Sequence, residues 1–309
     1  MKLVRPSTLA LVREARRASD FSLFDLIHGY LYGRWPYLYI GIGTGEHWIA
    51  RRLGPLVGWF ARLLSSRPKE EANGGGWADG YHGKVVPTRA AAQLVTVPVG
   101  QEVRLENLEQ IIPYPRARDI ILQHADHIVA LECPCRAARP DPCLPLDVCL
   151  IVGEPFASFV QEHHPHRSRW ISSGEGIEIL EAEHERGHVH HAFFKDAMLG
   201  RFYAICNCCA CCCGAMQAHR GGTPMLASSG YVARIDPDLC AACGLCAEVC
   251  PFGALYLSSN VAVIESGVCM GCGVCVSQCA TGALSLVRDP SRGTPLELYR
   301  LMEHAARLP

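Results

Sequence analysis

Apolar residues recur at helical spacing in HWIARRLGPLVGWFARLL, where Ile49, Leu53, Leu56, Val57, Phe60 and Leu64 share one face and Arg51, Arg52 and Arg62 fall elsewhere. The pattern predicts an amphipathic helix that either packs on its own domain or, over residues 47–64, lies against a membrane surface or a partner. Gly54 and Pro55 kink or split it. Residues 65–84, SSRPKEEANGGGWADGYHGK, collect glycine, proline and charge and read as a surface loop. PTRAAAQLVTV and ENLEQIIPYPRARDIILQHA then suggest helices, the second broken at Pro113 and Pro115. Two later apolar, strand-like runs, HIVALECPCR and RFYAICNCC, pass directly into cysteines. Strands ending this way can carry ligands from distant sequence to one point, which groups residues 116–228 into a central domain.

The chain has 309 residues, 49% of them hydrophobic, enough for two or three compact units with buried cores. Lys and Arg total 29 against 30 Asp and Glu, so no excess of positive charge concentrates polyanions, and nucleic acid is not an expected partner. The start, MKLVRPSTLALVREARRASDF, is too interrupted for a secretory signal, and no uncharged apolar run reaches the roughly 18 residues of a transmembrane helix. A cytoplasmic protein is expected.

The 18 cysteines change the picture. None precedes Cys133, and many are neighbours or next-but-one neighbours, a spacing that bridges poorly as disulfides. Metal ligation is the leading explanation. Cys240, Cys243, Cys246 and Cys250 form C-x2-C-x2-C-x3-C followed by Pro251, and the pattern returns at Cys269, Cys272, Cys275 and Cys279. The duplication extends to the flanks: Val232, Ala233 and Ile235 recur as Val261, Ala262 and Ile264, and Gly253, Ala254 and Leu255 as Gly282, Ala283 and Leu284.

Residues 231–288 thereby resemble the bacterial dicluster ferredoxins, in which the last cysteine of each run ligates the other cluster. The resemblance implies two [4Fe-4S] clusters, one held by Cys240, Cys243, Cys246 and Cys279 and the other by Cys269, Cys272, Cys275 and Cys250. Ala280 departs from the proline common in that family. So small a unit buries little core, and cluster ligation should supply much of its folding energy. Arg234 and Arg288 against Asp236, Asp238, Glu248, Glu265 and Asp289 leave it acidic, a surface suited to a basic partner.

Upstream, ECPCRAARPDPCLPLDVC offers Cys133, Cys135, Cys143 and Cys149, and AICNCCACCCGAM offers Cys206, Cys208, Cys209, Cys211, Cys212 and Cys213. Cys206, Cys209 and Cys212 repeat the rhythm that wraps a cubane, while Cys208 and Cys211 form an interleaved pair. The ten thiols predict at least one additional iron–sulfur cluster, either ordinary cubanes with cysteines to spare or a larger assembly. Structural zinc and free thiols are the alternatives. ECPCR and ICNCCxCCC ahead of a dicluster module also resemble a group of cysteine-rich ferredoxin-like proteins of anaerobic bacteria and archaea, a resemblance that supplies architecture but no substrate.

Arg136 could neutralise cluster charge, and Asp147 and His124 could serve as unusual ligands, though ordinary roles suit all three. HERGH, residues 184–188, matches the zincin pattern, but Gly187 is placed to end the helix and take His188 off its face. EHHPHR, residues 162–167, reads as an exposed turn, and GIGTGE lacks the third glycine of a nucleotide loop.

The fold class expected is α+β: a mainly helical N-terminal region over residues 1–115 with a glycine-rich loop at 65–84, a mixed α/β cysteine-rich domain over 116–228, a dicluster ferredoxin-like domain over 229–289, and a C-terminal helix or tail over 290–309. The function expected is iron–sulfur electron transfer, as a wiring or electron-accepting subunit of a larger anaerobic oxidoreductase. Its partner would be a redox protein or that enzyme's catalytic subunit, which carries the chemistry. The alternative is a reductase whose central cluster itself binds and reduces a small substrate.

Overall fold

The structure, a computed structural model, describes residues 4–18, 22–50, 52, 80–114 and 116–307. Most of the amphipathic segment predicted at 47–64, and residues 65–79 of the glycine-rich segment, lie outside the described residues.

Three helices open the chain: α1 (Pro6–Ala15), α2 (Leu23–Arg34) and α3 (Pro36–Gly43). Local chemistry sets their starts. Pro6 and Pro36 occupy first-turn positions where no backbone N–H is needed, and the Ser22 hydroxyl accepts from Asp25 N at the α2 terminus.

The core is an eight-stranded sheet built from β1 (Tyr81–Val85), β2 (Val103–Leu105), β3 (Ile120–Leu131), β4 (Cys149–Glu154), β5 (Ser168–Ile171), β6 (Val189–Lys195), β7 (Arg201–Cys208) and β8 (Leu226–Ala227). The order is β2-β3-β4-β7-β6-β1-β8, with β5 also pairing β3. Every pairing is antiparallel except β1 with β8. Every residue of β6 is buried, so this part of the sheet is covered on both faces, unlike a half-solvated antiparallel sheet. Helices α4 (Thr88–Val95) and α7 (Ser173–Glu185) pack on each other and on β3 and β6, while α6 (Phe156–His163) packs on β3, β4 and the N-terminal helices. The short α5 (Pro134–Ala137) and α8 (Gly214–Arg220) follow β3 and β7.

Four expectations change. The helix read into ENLEQIIPYPRARDIILQHA is instead a series of turns followed by β3, because the prolines stop a helix and the Ile120–Ile121–Leu122 run pairs with β2. Residues 81–84, assigned to the glycine-rich loop, form β1 inside the sheet, with His82 and Lys84 buried. β1 and β2 both precede residue 116, so a boundary at 115 divides one sheet. EHHPHR is not wholly an exposed turn: His163 and His164 are buried, His163 Nε2 lying 3.0 Å from Thr8 Oγ1 and His164 Nε2 2.7 Å from the Gly33 carbonyl. Those bonds fasten α6 to α1 and α2.

Toward the C-terminus, β9 (Tyr231–Ile235) pairs antiparallel with β12 (Leu284–Arg288), and β10 (Leu255–Ser258) with β11 (Val261–Ile264). The sequence repeat maps β9 onto β11 and β10 onto β12. Equivalent one-turn helices α9 (Leu245–Glu248) and α10 (Val274–Ser277) follow Gly244 and Gly273. The local core is small, with Val232, Ala233, Ala254, Leu255 and Leu284 packed beside Cys269 and Cys275. The chain does not end as a free tail. Leu298, on α11 (Leu298–Ala305), is buried in the main core, and Tyr299 Oη donates to the Thr96 carbonyl at 2.9 Å.

Candidate metal centres

The C-terminal repeat forms two cysteine-lined cavities. Cys240, Cys243, Cys246 and Cys279 line one of about 30 Å³. Cys250, Cys269, Cys272 and Cys275 line the other, of about 10 Å³. Each cavity thus takes three thiols from one repeat and the fourth from the other. Backbone amides point at sulfur, Ala233 N donating to Cys269 Sγ at 3.4 Å and Ala254 N to Cys250 Sγ at 3.3 Å, the second-shell bonding that tunes a metal thiolate.

The two cavities differ in exposure. Cys243 is exposed, and the hydroxyl of Thr281 with nearby backbone amides holds the Cys279 thiol below its ordinary value. Cys269 and Cys275 are buried, and burial pushes the Cys272 thiol up to about 12. The inner cavity also adjoins the sheet, since Met270 and Val274 belong to the main core and Phe252 and Cys272 pack against it. Gln278 Nε2 donates to the Glu185 carbonyl at the end of α7, at 3.0 Å.

The ten central cysteines divide in two. β3 ends just before Cys133, and Pro134 starts α5, which carries Cys135. Cys149 opens β4 directly across from Cys206 on β7, their sulfurs 4.0 Å apart. Cys206 and Cys208, two apart on a strand, share a face, and Cys213 caps α8 with its sulfur 3.1 Å from Cys208 Sγ. Cys133, Cys135, Cys149, Cys206, Cys208 and Cys213 line one cavity of about 70 Å³, larger than both C-terminal cavities together, and Cys209 lines it as well. Its neighbour Cys135 and its burial push the Cys133 thiol up to about 12. A metal would hold such thiols deprotonated instead.

Cys143, Cys209, Cys211 and Cys212 form a quartet that reaches the surface at the exposed Cys211, with Cys209 and Cys212 buried and all four sulfurs within 4.8 Å of one another. Sequence rhythm grouped Cys206 with Cys209 and Cys212. β7 ends at Cys208, and the turn after it brings the Cys209 and Cys212 sulfurs to those of Cys143 and Cys211, although Cys209 lines the cavity beside Cys206 as well.

Three tyrosines, Tyr32, Tyr81 and Tyr203, also line the six-thiol cavity. The Tyr32 and Tyr203 hydroxyls are 2.8 Å apart, and burial raises both tyrosines. Lys195 Nζ lies 4.8 Å from the centre of the Tyr32 ring and 4.5 Å from that of Tyr81, and burial lowers its ammonium to about 8. Sequence reasoning missed these residues because nothing in a lone Tyr or Lys marks it as facing a site.

Arg136 sits at the cavity wall, with its guanidinium paired with Glu183 and bound to the Pro145 carbonyl at 2.6 Å and to the Asn207 carbonyl at 3.0 Å. The other two candidates lie elsewhere. Asp147 is ion-paired with Arg169 at 3.0 Å, and His124 is an exposed residue stacked on His127 in an irregular stretch of β3. HERGH ends α7 in a Schellman turn: Gly187, at φ +81°, donates to the His184 carbonyl and His188 N to that of Glu183. His188 turns to Glu183, and His184 lies beside His190, so the two do not converge. GIGTGE closes α3, and its Glu46 pairs with Arg139.

The 4Fe-4S binding domain family matches residues 233–256. The segment is a ferredoxin-like 4Fe-4S module. With the clustered cysteines, it supports iron–sulfur binding and electron transfer. No curated protein matches the chain. No helix among the described residues is long and apolar enough to cross a membrane.

Proposed function

We propose that the protein is a multi-cluster electron carrier that wires a redox partner to a larger oxidoreductase of anaerobic metabolism. Cys240, Cys243, Cys246 and Cys279 would hold an outer [4Fe-4S] cluster, Cys250, Cys269, Cys272 and Cys275 an inner one, and the six-thiol cavity a third centre. Iron–sulfur clusters supply reversible single-electron transfer. The observation carrying this reading is the graded burial: an outer set with Cys243 exposed and no thiol fully buried, an inner set with Cys269 and Cys275 buried beside the main core, then six thiols of which Cys133, Cys149, Cys208 and Cys213 lie in that core and Cys135 and Cys206 pack against it.

The residues of the chain set a direction. Around the outer set, Asp236, Asp238 and Glu248 are exposed, with Leu239 and Leu245 beside them. Acidic groups around an apolar patch orient a basic redox partner and speed its encounter. Gln278 fastens the segment after α10 to the end of α7, and α10 packs on α7, whose Glu183 holds Arg136 at the central cavity.

The test is the iron, acid-labile sulfide and zinc per chain after strictly anaerobic purification, with EPR of the reduced protein. The reading expects the two ferredoxin-type signals plus a further one, and about 12 iron atoms or more. A value of about 8 with no further signal would mean that the central cavity takes no part. The Cys149→Ser variant should lose only the additional signal.

A further inference from the structure

The surface quartet differs from the other thiol sets in spacing, and spacing distinguishes metals. Four thiolates on one tetrahedral ion at a metal–sulfur distance of about 2.3 Å stand about 3.8 Å from each other. Thiolates on a cubane each bind a different iron and stand farther apart. Cys143, Cys209, Cys211 and Cys212 have all their sulfurs within 4.8 Å, with Cys143 Sγ 3.0 Å from Cys211 Sγ and Cys211 Sγ 3.3 Å from Cys212 Sγ. The ferredoxin-like module provides the internal comparison. Neither of its crossed quartets draws in so far, and among the described residues the surface quartet alone forms so compact a group.

We propose that Cys143, Cys209, Cys211 and Cys212 form a single-ion tetrahedral thiolate site of the zinc class, separate from the iron–sulfur centres. The ligands come from two loops far apart in sequence: the proline-rich loop between α5 and β4, and the turn between β7 and α8. The proline-rich loop joins α5 to β4, which both line the six-thiol cavity, and the turn lines it through Cys209 and Cys213, so an ion joining the two segments is a clasp beside that cavity. Their backbones are held from outside. Gln217 Nε2 donates to the Cys211 carbonyl at 2.9 Å, Arg220 Nη2 to the Ala210 carbonyl at 2.7 Å, and Arg139 Nη2 to that of Cys212 at 3.5 Å. Four thiolates around a divalent ion leave net negative charge, and the Arg220 guanidinium lies where it offsets part of it, while that of Arg139 is paired with Glu46. Zinc has no redox chemistry, so this site fixes geometry and carries no electrons. Cys209 lines the central cavity as well, so committing it to this ion leaves the other six thiols to serve their own centre.

The proposal rests on the reading of the protein as an iron–sulfur carrier but fails separately from it. The full chain, purified anaerobically from medium containing both iron and zinc, should hold about one zinc atom per chain, and X-ray absorption at the zinc edge should show sulfur-only coordination at about 2.3 Å. Cys143→Ser or the exposed Cys211→Ser should lose that zinc with iron unchanged. Cobalt(II) added to wild-type protein depleted of zinc should give the charge-transfer bands of a tetrahedral tetrathiolate, a reading that does not depend on a variant folding. Loss of about 4 iron atoms in Cys143→Ser with no zinc in the wild type would overturn the proposal and make the quartet a cubane, leaving the electron-carrier reading intact. A Cys143–Cys211 disulfide without metal, or zinc retained in both variants, would overturn it equally.

Discussion

Arg136 and Glu183 form an ion pair in which each side chain is about 1% exposed, joining the wall of the six-thiol cavity to α7. The carboxylate also lies 2.7 Å from His188 Nδ1, and the same histidine nitrogen lies 3.0 Å from Arg136 Nη2. Removing one partner leaves the other charge buried, at a cost of about 3–5 kcal/mol. Glu183→Gln should therefore lower stability by about that much in anaerobic urea titration, more than Arg186→Gln, which removes only the exposed contact to the same carboxylate.

The pair also sets an acid limit. Burial alone would raise the Glu183 carboxyl, but hydrogen bonds from His188 and Arg136 outweigh it and hold it below the ordinary carboxylate value. A lowered acid contributes stability above its unfolded value and loses it as pH falls through the folded one. Wild type should thus lose stability in acid more steeply than Glu183→Gln, as read by urea midpoints across the acid range.

Lys84 adds a dependence of the same sign at higher pH. It is buried within the sheet, and burial, helped by the nearby positive Arg288, lowers its ammonium from 10.5 to about 7. Between those values the unfolded chain keeps a proton that the folded chain has released, so stability rises with pH in that window. Lys84→Met should flatten the rise and stabilise the protein below pH 7 by about 1–3 kcal/mol, checked by denaturant midpoints at neutral and alkaline pH.

Gly271 lies between Cys269 and Cys272 at φ +65°, and a Cβ there would overlap the Tyr231 carbonyl and the Ser229 hydroxyl. Left-handed backbone and overlap together should cost Gly271→Ala about 3 kcal/mol or more. The inner cluster's EPR signal should disappear while the outer one is retained. Gly267→Ala, with open space at its Cβ, is the control.

Iron chelation should act on the two halves differently. The ferredoxin-like module buries only a handful of apolar side chains beside its cysteines, whereas the sheet has an extensive core of its own. Chelation under reducing conditions should make residues 231–288 sensitive to protease and leave β3, β6 and β7 protected, as followed by hydrogen exchange.

Much of this was legible in one dimension. The C-x2-C-x2-C-x3-C runs and their repeated flanks locate the ferredoxin-like segment, because a loop that wraps a cluster must carry its ligands at short fixed intervals. Gly187 ending its helix was legible for the same kind of reason, since the φ it adopts suits glycine. The apolar runs before Cys133 and Cys206 mark β3 and β7, a signal that survives because residues 128–131 of β3 and nearly all of β7 are buried on both faces.

The sheet's membership was not legible. YHGK looks like a loop because His82 and Lys84 are polar, yet pairing with β6 and β8 satisfies its backbone and draws it inside. Nor could spacing divide the ten central cysteines. Cys208 and Cys209 are adjacent in sequence and both line the central cavity, yet the Cys208 sulfur lies beside Cys213 and that of Cys209 meets Cys143, Cys211 and Cys212. Local sequence determined which residues can bind metal, since that depends on side-chain chemistry and short spacings. Which thiols share a centre was decided by strand pairing, because antiparallel register sets Cys149 opposite Cys206 across a separation that no local pattern encodes.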